Sequence, residues 1–122
     1  MGDTWEIISP DLTTNDPRKQ MQEDSGGLSA DNSGAENHTT IFTIDESPLD
    51  PKIIWIGTDD GNIQLSRDGG IKWRDVTPKN KNLPKNTWVY HIEASYHNPG
   101  VAYAVFDGHT SGDMTPYAYK TN

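Results

Sequence analysis

Apolar and polar residues alternate along most of this chain in short runs, and Gly, Pro, Asp and Asn separate one run from the next. Alternation with period two sets one face of a segment against a core and the other toward water, which is the pattern of β-strands. The runs predict strands over Trp5–Ser9, Thr40–Asp45, Ile53–Thr58, Asn62–Ser66, Lys72–Val76, Trp88–Ala94, Val101–Phe106 and Tyr117–Thr121. Pro48, Pro51 and Pro99 fall between predicted strands, where no ladder N–H is required. Between Thr13 and His38 the alternation lapses; only Met21, Leu28, Ala30 and Ala35 are apolar there. Asp-Pro, Gly-Gly and Asn-Ser-Gly signals make that stretch a long loop, with a helical turn expected near Pro17–Glu23. A loop of such length in a compact fold is functional or mobile.

The runs repeat. Ile44-Asp45-Glu46-Ser47, Asp50-Pro51, Ile53-Ile54-Trp55-Ile56 and Asp59 recur 48 positions later. The second copy reads Ile92-Glu93-Ala94-Ser95, Asn98-Pro99, Val101-Ala102-Tyr103-Ala104 and Asp107. A period of this length with several short strands per unit is a signature of propeller blades. A second self-similarity links Gly2-Asp3-Thr4-Trp5 to Gly70-Ile71-Lys72-Trp73, and Glu6–Pro10 to Arg74–Pro78.

Between two of the predicted strands lies Ser66-Arg67-Asp68-Gly69-Gly70-Ile71-Lys72-Trp73, which reads S-x-D-x-G-x-x-W. Its two glycines supply the positive φ of a tight hairpin. Asp68 can turn its carboxylate onto the backbone N–H groups of its own loop, and Trp73 can lie over the turn as an apolar lid. A structural role is expected for Ser66, Asp68, Gly70 and Trp73, and no catalytic one.

This octapeptide, with Trp5–Asp16, Ile54–Asn62 and Phe106-Asp107-Gly108-His109, resembles the BNR or Asp-box repeat superfamily, specifically propellers of the sortilin N-terminal type found in secreted bacterial proteins. The resemblance implies an all-β fold of four-stranded antiparallel propeller blades, here a partial propeller of about two blades with a long loop insertion. Residues 1–12 would be the fourth strand of a preceding blade and 13–38 the polar loop. Residues 39–78 would form one complete blade with its Asp-box, and 79–122 the first three strands of the next. Both ends of the sequence are read as falling inside sister hairpins. The expected partners are the remaining blades or other copies of the chain, Trp5–Ser9 of one copy serving as fourth strand beside Tyr117–Thr121 of another. The resemblance also implies an extracellular or periplasmic location, although no signal peptide opens the sequence.

Composition narrows the partners. The 122 residues are 32% hydrophobic and include 11 Gly and 8 Pro, as a turn-rich β protein would; four Trp and five Tyr argue against wholesale disorder. A formal charge of −8 disfavours nucleic acid and anionic membranes. The longest apolar run, Ile53–Ile56, is far too short to cross a bilayer. With no cysteine there is no disulfide or thiolate chemistry.

In propellers the ligand face is formed by the loops from second to third strand and from fourth strand to the next blade. That places Thr13–His38, Asp59–Gly61, Lys79–Asn86 and Asp107–Pro116 on one side. Asp59, Asp60, Asp107, His109 and Asp113 are the candidate ligand-binding residues on an acidic rim suited to a sugar, a protein surface or Ca²⁺. The plainer reading of Asp59-Asp60-Gly61-Asn62 is a tight hairpin turn. Asp45 and Glu93, equivalent by the repeat, are the candidate catalytic carboxylates if the chain is part of a glycoside hydrolase; the alternative is that they line a wet channel. A purely structural self-assembling repeat is a third reading. His91 and His97 lack metal-ligand spacing, and no cofactor fingerprint appears. Sialidase chemistry needs converging arginines, and Arg18, Arg67 and Arg74 are dispersed over dissimilar segments. Trp88 and Tyr90 can stack on a sugar or pack between blades. Asn37-His38-Thr39 is a glycosylation triplet of little specificity.

Overall fold

A computed structural model describes residues 2–21 and 38–122. The fold is all-β, with two antiparallel sheets. The first contains β1 (Ile41–Glu46), β2 (Ile54–Thr58), β3 (Ile63–Ser66) and β4 (Arg74–Asp75), in that spatial order. The second contains β5 (Trp88–Ala94), β6 (Ala102–Gly108) and β7 (Asp113–Lys120). Each sheet is a meander whose neighbours in sequence are neighbours in space, so short turns suffice. β4 is shorter than the alternation predicts. It pairs Leu65 with Arg74 and Gln64 with Asp75, and the Val76 N–H extends it with one bond to Ile63 O at 2.9 Å. β7 is longer than predicted and holds Pro116, which is tolerated because β7 is an edge strand and the ladder is irregular there.

The 48-residue repeat is visible in detail. In β1 the register slips between Ile41 and Thr43, leaving Phe42 as the extra residue of a bulge. In β5 it slips between Val89 and His91, leaving Tyr90. The turns that follow also match: Ser47 N–H bonds Ile53 O and Ile53 N–H bonds Asp50 O, while Ser95 N–H bonds Val101 O and Val101 N–H bonds Asn98 O. Matching bulges give matching local twist and project Phe42 and Tyr90 alike.

The sheets pack face to face. Trp55, Ile63 and Leu65 of the first sheet meet Val89, Ile92, Ala94, Ala102, Ala104 and Phe106 of the second in one buried cluster. The approach is close at Gly57, where a Cβ would lie 2.4 Å from Val89 Cγ1. β1 and β5 are also tied by polar bonds: the Ala94 N–H donates to Asp45 Oδ2 at 2.6 Å and the Ile92 N–H to Thr43 Oγ1 at 3.4 Å. The other face of the first sheet buries Ile54 and Ile56 beneath Leu12 and Trp73.

The N-terminal segment stands apart from both sheets. Trp5–Ser9 belongs to neither ladder, and Trp5 and Ile7 are 98% and 92% exposed. Its alternation suits a strand, but no described strand edge lies beside it. It is held at Ile8, whose carbonyl accepts from Trp73 Nε1 at 3.0 Å, and at Leu12, whose carbonyl accepts from the Asn62 and Gln64 side-chain amides. Pro17–Lys19 forms a single 3₁₀ turn capped by Asp16, whose Oδ1 accepts the Arg18 N–H. The rest of the predicted helical turn, Leu28, Ala30, Ala35 and the sequon asparagine Asn37 lie outside the described residues.

Candidate functional site

The two ends of the sheets differ in character. At one end the turn between β3 and β4 is closed by its own side chains. Asp68 Oδ1 accepts from the Lys72 N–H at 2.9 Å and from the Ser66 hydroxyl at 2.9 Å. Ser66 Oγ accepts from the Gly70 N–H at 2.8 Å, and Trp73 Nε1 donates to Gly70 O at 2.9 Å. Gly69 and Gly70 take φ of +72° and +97°, a region costly for other residues. The Lys72 N–H, followed by the Ser66 hydroxyl and Ile71 N–H, holds the Asp68 carboxyl below its ordinary range. The Ser66 and Asp68 side chains are thus spent on the turn itself, which they hold as a staple.

At the opposite end the β2–β3, β4–β5 and β6–β7 loops come together, and the segment around Thr14 joins them. Asp60 is 1% exposed and works as a clamp: Oδ1 accepts from the Thr58 hydroxyl, and Oδ2 from both the N–H and hydroxyl of Thr14. Asp59, also buried, accepts from the Thr40 N–H at 2.8 Å and hydroxyl at 2.9 Å. Neither carboxylate reaches solvent as a rim ligand would; both fasten distant chain segments to the loop. Their burial depends on Thr14 and Thr40, which local turn chemistry does not reveal.

Asp107, His109 and Asp113 do stay at the surface and together border a hollow of about 250 Å³, with Tyr90, Met114 and Pro116 on its apolar side. His109 Nδ1 lies 2.6 Å from Asp107 Oδ2, and the His109 N–H donates to Asp107 Oδ1 at 2.9 Å. The backbone N–H of His109, and then its ring, hold Asp107 below the usual carboxylate range. Asp113 is lowered by the Thr115 side chain and N–H and by the Tyr117 hydroxyl, which donates to it at 2.7 Å. Tyr117 is raised in return by the Asp113 carboxylate. The result is a pair of pre-oriented, ionised acceptors beside an apolar wall. Next to them stands an aromatic group, Phe42 edge-on to Trp88 with centroids 4.6 Å apart and Tyr90 about 6 Å from both.

Lys79, Lys81 and Lys85 border a larger hollow of about 640 Å³ between the β2–β3 and β4–β5 loops. The Lys-Asn-Lys-Asn spacing was the available signal, and it gives this acidic chain one basic corner.

Asp45 and Glu93 do not face one another. Asp45 shares the Trp55 face of the first sheet and is engaged by the Ala94 N–H. Glu93 pairs across from Tyr103 on the second sheet's exposed face, while its neighbours Ile92 and Ala94 point into the core. The repeat makes them equivalent, and equivalent residues on successive sheets point the same way. Among the described residues no three His, Asp or Glu side chains converge as metal ligands, and no helix is long and apolar enough to cross a membrane. No protein-family model matches the chain, and neither a curated protein nor a solved structure matches it.

Proposed function

We propose that the two sheets are consecutive blades of an Asp-box β-propeller and that the molecule is a binding or scaffolding unit. The observation that carries this reading is the recurrence of bulge and turn geometry at 48 residues. Two sheets that repeat in detail and stack face to face, first strand beside first strand, extend naturally into a ring of such units. Ligand then meets the loop end, where acidic and aromatic side chains stay at the surface around a hollow. The Tyr90, Asp107, His109 and Asp113 hollow offers a stacking ring next to fixed acceptors, a combination suited to a glycan. A hydrolase built on Asp45 and Glu93 would need them to converge, and they diverge.

Titration with a panel of neutral oligosaccharides, followed by NMR, tests the ligand class. Shifts are expected at Tyr90, His109 and Asp113, and Tyr90→Ala is expected to weaken binding about tenfold. A panel that shifts none of the three removes the glycan reading.

A further inference from the structure

The loop end holds a concentration of positive charge in a chain whose formal charge is −8. Lys79, Lys81 and Lys85, all exposed, border the hollow of about 640 Å³ between the β2–β3 and β4–β5 loops. None of the three pairs with an acidic side chain among the described residues. The two carboxylates that also border the hollow are engaged elsewhere. Asp60 accepts from Thr58 and Thr14 through its two oxygens, and Asp75 Oδ1 accepts from the Thr77 N–H at 2.8 Å. The ammonium groups are left to water or to an anion from outside.

The loop that carries them is held in place. The β2–β3 turn presses directly on it, since a Cβ on Gly61 would lie 2.9 Å from Asn86 Cα. Asn86 keeps φ of +63°, a left-handed conformation that persists in a non-glycine residue where its surroundings impose it. Thr87 Oγ1 donates to Pro84 O at 2.8 Å, and the Leu83 side chain packs against the core between the sheets. Lys85 thus stands between two fixed points, and Lys81 just before the first of them. Phe106 lines this hollow and also the one beside Tyr90, Asp107 and His109, so the two adjoin.

We infer that the glycan taken at this end of the molecule is acidic. It is a short oligosaccharide whose carboxylate or sulfate groups lie on Lys79, Lys81 and Lys85 while a neighbouring sugar ring stacks at Tyr90. The inference rests on the glycan reading and names its chemical class. Lysine is a flexible point charge that accepts either acid group, unlike the planar arginine fork. Three lysines against a chain charge of −8 suit one or two acid groups rather than a nucleic-acid backbone.

Calorimetry and NMR on the full chain, with oligogalacturonate and its methyl ester as probes, form the test; the backbone is the same and only the charge differs. A sulfated oligosaccharide and its desulfated form are a second pair that tells which acid group is preferred. In at least one pair the acidic form is expected to bind about tenfold tighter at low salt, with shifts at Lys81, Lys85 and Asn86 as well as Tyr90. That advantage should fade as salt is added. Lys81→Gln combined with Lys85→Gln, both at exposed positions, should bring the acidic form down to the affinity of its uncharged counterpart. Tyr90→Ala should weaken both forms. Equal affinity for charged and uncharged forms in both pairs, with shifts kept at Tyr90 and His109, overturns this inference and leaves the glycan reading standing. Shifts at none of these residues with any probe overturn both. A hexaglutamate peptide that binds as tightly as the acidic oligosaccharide also overturns the inference, because the lysines then serve an acidic peptide.

Discussion

The two sheets begin from one pattern and finish differently. At the position of Gly57 in β2, the second sheet has Val105 in β6. Glycine is required in the first because Val89 presses against it, while Val105 is partly exposed on the second sheet's outer face. Asp59 is buried and fastens Thr40, whereas its counterpart Asp107 turns to His109 at the surface. Trp73 packs over Ile54 and Ile56 in the first sheet, whereas Ala102 and Ala104 at the matching positions border a hollow between the sheets. In each case the difference follows from what lies against the sheet. A position covered by a neighbour is fixed by steric fit and paired polar groups, and the same position left open is free to carry surface chemistry.

The largest expected effect comes from forcing the covered sheet to resemble the open one. Gly57→Val places new atoms where Cβ alone would already be 2.4 Å from Val89, and a loss of about 3 kcal/mol is expected in chemical denaturation. The reverse change, Val105→Gly, should cost no more than about 1 kcal/mol. Equal costs would dissolve the distinction between covered and open faces.

A smaller effect tests the polar tie between the sheets. Asp45→Ala leaves the Ala94 N–H without its acceptor and should destabilise the chain by about 2 kcal/mol, with faster exchange at Ala94. Glu93→Ala, on the open face, should leave the unfolding midpoint within about 0.5 kcal/mol of the parent. The smallest effect is pH dependence. Asp68, Asp107 and Asp113 all have lowered folded-state pKa values, so their contribution is fully present above the ordinary carboxylate pKa of about 4. It is lost as pH falls through the lowered values. Asp68→Asn should flatten that acid limb of a stability-against-pH curve; an unchanged limb would show that the staple adds nothing.

Much of the ladder was legible because it depends on local alternation. Trp88–Ala94 is bounded as predicted, since Ile92 and Ala94 alternate with His91 and Glu93 beyond an aromatic start. The turn at Ser66–Trp73 was legible because the Ser66 and Asp68 bonds that close it are made within eight residues. What escaped is what depends on distant partners. Asp60 is bonded to a residue 46 positions away and Asp59 to one 19 away, so neither burial could be read from the turn. Trp5–Ser9 has the pattern of a strand but pairs with no strand among the described residues, and pattern alone does not supply a partner. The bulges at Phe42 and Tyr90 were likewise hidden, because a one-residue slip shows only when two strands are laid side by side.

The central claim is that the second sheet repeats the first in its bulge and turns and packs against it, first strand beside first strand. Hydrogen exchange at the Ala94 amide, which donates to Asp45 across the two sheets, tests it most directly. The prediction is strong protection at Ala94 that is lost in Asp45→Ala. An Ala94 amide that exchanges freely in the parent chain would contradict it.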